Sequence, residues 1–180
     1  MSSVTEANPY VSGNSKTWKN WQAKYKEPRT CLPCEEKHGK IYPFTSSFKI
    51  PEHLFCRYEI VPMRTKQVGT VTDKGFDGAD AWLMYRGRLP DYYVTKEEAK
   101  GKGFRRKKQN LADVLPGQMI GGNEFSNDQR KLPDAPNRRW YEADLDYTYG
   151  KRNLKRILYS SDGLIFVTKD HYQTFYEVIK

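Results

Sequence analysis

The stretch RILYSSDGLIFVTKDHYQTFYEVI, residues 156–179, decides the fold. Its β-branched, aliphatic and aromatic residues fall into three short runs with the period of strands. Asp162-Gly163, between the first two runs, suits a tight hairpin turn, and TFYEVI supplies a last short strand. Just upstream, WYEADLDY (140–147) alternates Tyr141, Ala143, Leu145 and Tyr147 with Glu142, Asp144 and Asp146. One face of that strand can be buried while three carboxylates point the other way. TKDHYQTF sets His171 among strand-like neighbours, where a histidine is ordinarily a hydrogen-bonded core side chain and nothing more.

Towards the N-terminus the period changes to that of helices. FDGADAWLMYRG has Phe76, Ala79 and Leu83, with Ala81 and Met84, at helical spacing, and Gly87 as a natural stop. Thr95 and Glu98 of TKEEAKGKG have capping-box spacing, so a second helix starts there. Asn110 before LADVL predicts a third, short helix that Pro116 ends. Helices followed by a run of short strands predict an α+β domain over residues 75–180, with helices packed on an antiparallel sheet.

The first third of the chain differs in character. SKTWKNWQAKYKEP carries Trp18, Trp21 and Tyr25 at spacings of three and four, which predicts an aromatic packing face on a helix that Pro28 ends. All three cysteines follow. Cys31 and Cys34 form C-x2-C, and His53-x2-Cys56 follows after eighteen intervening residues. Two short pairs at this separation fit a tetrahedral Cys3His structural zinc site in a segment spanning residues 1–66, with His38 as a competing fourth ligand. So small a segment needs a staple, and an odd cysteine count fits a metal better than a disulfide framework. The polar stretch at residues 67–74 reads as a linker.

With 180 residues, 14% aromatics and a mean hydropathy of −0.87, the chain is polar without the composition of a disordered one. No run approaches the roughly 18 apolar residues that span a bilayer, and MSSVTEANPY has neither the basic nor the apolar region of a signal peptide. Net charge is +9, divided as +5 over residues 1–69 and +4 over the remainder. Such a balance favours a polyanionic partner.

The carboxylates of the Glu142 strand lie in a cationic region with Arg138, Arg139, Lys151, Arg152, Lys155 and Arg156. Arg156, Leu158 and Ser160 share a face of the next strand, so Arg156 can stand beside a carboxylate of its neighbour. Residue types alone leave two readings open. One is a solvated ion-pair ladder, weakly stabilising. The other is a carboxylate base and a histidine acid among phosphate-binding cations, the set that cleavage of RNA at its own 2′-hydroxyl requires.

From about residue 71 onward the chain resembles the barnase-like microbial ribonuclease family. The resemblance is carried by RLPDYYVTKEEA, NLADVLPGQMIGG, FSN, KLP, YEADLDYTYGKRN, RILYSSDGLIF and DHYQTF. It implies an α+β fold and a metal-independent endoribonuclease that makes a 2′,3′-cyclic phosphate and then hydrolyses it. By position it implies Glu142 as general base, His171 as general acid, and Lys96, Arg152 and Arg156 as phosphate-site cations. Tyr172 corresponds to an aromatic residue that helps hold substrate. Ser126, Asn127, Asp128 and Gln129 stand where the family usually has Ser-Asn-Arg-Glu, the base-recognition loop. An acidic barstar-like immunity protein is the implied partner beside RNA. Residues 14–63 resemble the end of phage Mu F-like head morphogenesis proteins, although EHLFCRY lacks that family's final cysteine. Together these resemblances imply a toxin attached to a phage or prophage carrier, located in the bacterial cytoplasm or the virion, or delivered to a target cell. Two other readings compete: a catalytically weak RNA-binding or structural head protein, and a zinc-dependent HNH-type nuclease in residues 31–63. The intact Glu142 and His171 pair argues against the first, and the lack of a paired catalytic motif against the second.

The family glutamate accepts two hydrogen bonds from guanine, whereas Gln129 offers one acceptor and one donor. Guanine preference is therefore expected to weaken, as mapping of the cut sites in mixed-sequence RNA would reveal; strictly post-guanine cutting contradicts this.

Overall fold

The computed structural model describes residues 13–23, 36–48 and 58–180. The candidate zinc ligands Cys31, Cys34, His53 and Cys56 lie outside these, as do Tyr25 and Pro28. His38 is exposed in the turn before β2, and the described residues contain no cluster of three or more potential metal ligands.

Among the described residues, nine strands form one sheet: β1 (Asn14–Ala23), β2 (Ile41–Pro43), β3 (Tyr58–Gln67), β4 (Tyr93–Val94), β5 (Met119–Phe125), β6 (Trp140–Asp144), β7 (Arg156–Ser160), β8 (Ile165–Thr168) and β9 (Tyr176–Ile179). Their order is β2-β1-β3-β9-β8-β7-β6-β5-β4. The expected antiparallel run holds for β5 to β9, but the sheet is mixed, because β3 lies parallel to β9 and β4 parallel to β5. Three short helices occur where the sequence predicts them: α1 (Ala79–Arg86), α2 (Lys96–Gly101) and α3 (Leu111–Val114). Gly87 ends α1 at φ 67°, in the left-handed region where glycine carries no Cβ penalty. Thr95 and Glu98 form the expected capping box. Phe76 is not on the helix face; it sits 69% exposed in a 3-10 turn that precedes α1.

The Trp18 and Trp21 segment is a strand, not a helix. A spacing of three puts two strand residues on opposite faces, and here both faces are covered. Trp18 meets Phe166 edge-on at 6.2 Å, and Trp21 meets Phe48 at 5.3 Å. The linker expectation also changes in part. Gln67 is the last residue of β3 and pairs with Ile179, while Val68 is buried and donates its N–H to Ile179 O at 2.7 Å. The Asp162-Gly163 connection is longer than a two-residue turn. Four residues separate β7 from β8, and Gly163, at φ 93°, donates its N–H to Ser160 O.

The two faces of the sheet do different work. Ala143, Ile157, Ile165, Val167 and Val178 pack against α1 through Ala79 and Leu83. The other face carries Trp140, Leu158 and Phe166, joined by Trp18, Ile41 and Met63 from the N-terminal strands and by Leu132 and Phe175. Glu142, Asp144 and Arg156 continue that second face, since Glu142 pairs with Leu158 and Asp144 with Arg156 across β6 and β7. β5 approaches closely at Gly121, where a Cβ would come within 2.5 Å of the Tyr93 ring and 2.7 Å of Ala143 Cβ. That approach lets Tyr93 lie over the sheet and donate its hydroxyl to Asp144 O at 2.7 Å.

Candidate active site

Alternation along WYEADLDY predicted three outward-facing carboxylates, but none of them is a free solvated group. Asp144 is fully buried and Glu142 is 9% exposed, because loops and α2 cover this end of the face. Asp146 lies beyond the strand at φ 50° and pairs with Lys155 at 2.8 Å. Ions buried to this degree need partners, and the sheet supplies them. Arg152 grips Asp144 bidentately, Nε to Oδ2 at 2.5 Å and Nη2 to Oδ1 at 2.6 Å. Arg156 Nε approaches Oδ1 at 3.1 Å. Burial alone would lower the Arg152 pKa, but its bonds and proximity to Asp144 outweigh this and raise it. Asp144 is thus the counter-ion that holds two cations at the edge of a cleft. Its position on the Glu142 face was legible in the alternation, whereas its burial was not.

Glu142 is held from two sides. Lys96, the first residue of α2, donates Nζ to Oε1 at 2.5 Å, and the Tyr172 hydroxyl donates to Oε2 at 2.5 Å. Burial pushes the Glu142 pKa up, but these two bonds, with the charges of Lys96 and Arg156, pull it below the ordinary glutamate value. Lys96 is aimed by its own backbone, whose N–H donates to Asn123 Oδ1 at 3.0 Å beside the register break at Gly122 (φ 82°). Burial, then the bond to Glu142, keep the Tyr172 hydroxyl protonated well above its usual pKa.

His171 is neither in a strand nor in the core. It is exposed in the loop between β8 and β9, with its N–H donating to Leu154 O at 3.2 Å. His171 and Tyr172 stand at φ 55° and 70°, a region that non-glycine residues seldom occupy and that must be held by surrounding structure. Asp170 holds it. Its carboxylate accepts from Thr168 Oγ1, from the N–H groups of Gln173 and Thr174, and from Thr174 Oγ1, at 2.6–3.0 Å. Burial would raise the Asp170 pKa, but these bonds lower it overall. Sequence reasoning missed Asp170, although an aspartate four residues before a threonine in a turn-forming stretch is the available signal.

These backbone angles put adjacent side chains on two clefts. His171 lines a cleft of about 300 Å³ with Arg106, Lys151, Arg152 and Arg156, where an anion meets several cations at once. Arg106 was not among the residues expected there. Tyr172 lines a second cleft of about 240 Å³ with Phe125, Ser126, Asn127, Asp128, Gln129 and Lys131. Phe125 and Tyr172 rings lie 5.2 Å apart and tilted by 31°, a wall suited to a planar ring. Asn127 closes the loop, donating Nδ2 to Leu132 O at 2.8 Å and accepting from Leu132 N–H at 3.1 Å. Glu142 is tied to the second cleft through Tyr172. A carboxylate kept ionised, an exposed imidazole and a cationic rim can move a proton at each end of a phosphodiester.

Comparison with known proteins finds ribonucleases. A family described as ribonuclease matches residues 81–179. A ribonuclease from Bacillus intermedius is 50% identical over 136 residues, covering 70% of this chain and 84% of that protein. One from Heyndrickxia coagulans is 51% identical over 100 residues, covering 56% of this chain and 92% of that protein. One from Bacillus pumilus is 40% identical over 136 residues, with 70% and 84% covered.

Replacing Lys96 by Met removes a bond and a charge that favour the ionised carboxylate, so the Glu142 pKa is expected to rise. NMR titration of the Glu142 side-chain carbonyl measures it, and an unchanged or lower value contradicts the assignment.

Proposed function

The chain belongs to the ribonuclease family and is an endoribonuclease, and we propose that it cleaves single-stranded RNA by metal-independent transesterification. Glu142 removes the proton from the 2′-hydroxyl, and that oxygen forms a bond to phosphorus. The bond from phosphorus to the 5′-oxygen breaks, and protonated His171 gives its proton to the departing oxygen. The products are a 2′,3′-cyclic phosphate and a free 5′-hydroxyl. In the slower second step His171 takes a proton from water as its oxygen bonds to phosphorus. The bond from phosphorus to the 2′-oxygen breaks, and Glu142 returns a proton to that oxygen, leaving a 3′-phosphate. Lys96, Arg152 and Arg156 stabilise the charge that develops on the phosphoryl oxygens. The 126–129 loop with Phe125 and Tyr172 receives the base, and Gln129 relaxes the preference for guanine.

The observation that carries this reading is the environment of Glu142. A surface ion-pair ladder needs no buried carboxylate gripped by a lysine and a tyrosine hydroxyl. Lys96 both keeps Glu142 ionised and stands ready for the phosphate, so a proton can be taken without an unpaired charge remaining. Tyr172, which holds Glu142, directly follows the exposed imidazole of His171 in the same loop. A base and an acid thus stand on one substrate-facing loop and strand, an arrangement that passive RNA binding does not call for.

The biological setting follows from sequence patterns alone. The C-x2-C, HGKIY and EHLFCRY motifs support attachment to a phage-head or prophage carrier and a toxin role. Three thiolates and an imidazole make a donor set suited to structural zinc in that segment. A net charge of +9 with a cationic cleft suits an acidic barstar-like immunity protein steered by complementary field.

Cleavage of RNA in EDTA tests the proposal. The wild-type chain should cut, and Glu142→Ala and His171→Ala should each lose roughly 10²–10⁴-fold in rate. Cleavage that EDTA abolishes, or that survives both substitutions, overturns it.

A further inference from the structure

β1, β2 and β3 belong to the segment that the sequence reads as a separate module, yet they join the base-recognition apparatus. Ile41, the first residue of β2, turns its N–H away from β1 and donates it to Lys131 O at 3.0 Å. Lys131 lines the base cleft and donates its own Nζ to Tyr172 O at 3.0 Å. One residue thus links β2, the recognition loop and the strained loop that carries Tyr172.

The apolar packing runs the same way. Leu132, next to Lys131, is 1% exposed and shares a cluster with Trp18, Ile41 and Met63. Phe175 is buried in that cluster and also lines the base cleft, while Phe125 and Tyr172 pack against it from the cleft side. The recognition loop itself needs support. Arg130 stands at φ 48°, with its N–H donating to Asn127 O at 2.7 Å, a conformation held only where neighbours over-determine it. The Asn127 clamp fixes the loop from inside and β2 fixes it from outside.

We propose that the N-terminal strands are a positioning element of the base site, setting through Ile41 and Lys131 how tightly and how selectively a base is held. The proposal rests on the endoribonuclease reading above. β2 reaches the base cleft through Lys131 and Leu132, so its expected effect is on base binding and not on the chemical step. Coupling through a fixed contact is reciprocal. A nucleotide seated in the base cleft must therefore tighten β2.

Two measurements on the full chain test this. Ile41→Pro removes the donated N–H, and Ile41→Val, which keeps it, is the control. With dinucleoside phosphates differing in the 5′ base, the proline variant should raise KM roughly 3–10-fold and narrow the discrimination between bases, while kcat stays within about twofold; the loss corresponds to one hydrogen bond. The valine variant should keep the wild-type values. A KM and base preference unchanged in a folded proline variant overturn the proposal, as does an equal fall in kcat on every substrate.

The second measurement uses the wild-type chain and remains decisive if the proline variant does not fold. Amide exchange is followed with and without saturating guanosine 3′-monophosphate. The Ile41 amide should gain protection together with those of Arg130 and Leu132. Gains at Arg130 and Leu132 with none at Ile41 overturn the coupling and leave the nuclease reading standing. A wild-type chain that neither cuts RNA nor protects the loop amides overturns both.

Discussion

Two carboxylates two residues apart on one strand, both withdrawn from water, impose the arrangement of the whole site. Glu142 and Asp144 can stay ionised there only with cations and hydroxyls in contact. Their demands differ. Asp144 takes Arg152 and Arg156 and becomes a structural counter-ion, holding two guanidinium groups beside the cationic cleft. Glu142 takes Lys96 and Tyr172, one from the start of α2 and one from the loop after β8. The helix, the loop and the sheet are thus drawn to a single point by charge, whereas the cores on either side set only their general distance.

Strain at that point has a visible support. His171 and Tyr172 both occupy left-handed backbone angles, so consecutive side chains reach separate clefts, one rimmed by cations and one walled by the Phe125 and Tyr172 rings. Asp170 accepts four hydrogen bonds around the loop and makes those angles tolerable. A strand would have sent the same two side chains to opposite faces of the sheet and buried one of them. Exposure of His171 is therefore a product of the loop, and the loop is a product of Asp170.

Much of this was legible in the residues. The capping box at Thr95, the glycine stop at Gly87, the strand alternation through Glu142 and the placement of Arg156 beside a neighbouring carboxylate all follow from local rules. Local rules failed where long-range contacts decide. Trp18 and Trp21 mimic a helical stripe because both faces of their strand are covered, which no local period reveals. Strand alternation counts faces and not what covers them, so the burial of Glu142 and Asp144 was hidden. The parallel pairing of β3 with β9 joins residues more than a hundred positions apart, and nothing in the polar stretch RTKQ announces it. The same pairing goes with N-terminal strands that pack beside the cleft lined by Lys131 and Phe175.

The central claim is that Glu142 acts on a 2′-hydroxyl and His171 on the 5′-oxygen of the same phosphodiester. An RNA oligonucleotide carrying a single internal 2′-deoxynucleotide tests this most directly. With that hydroxyl absent, no proton can be removed and no cyclic phosphate can form at the bond on its 3′ side. The account predicts that this bond stays intact while its neighbours are cut. Cleavage at the deoxy position at a rate comparable with the neighbouring bonds would contradict it.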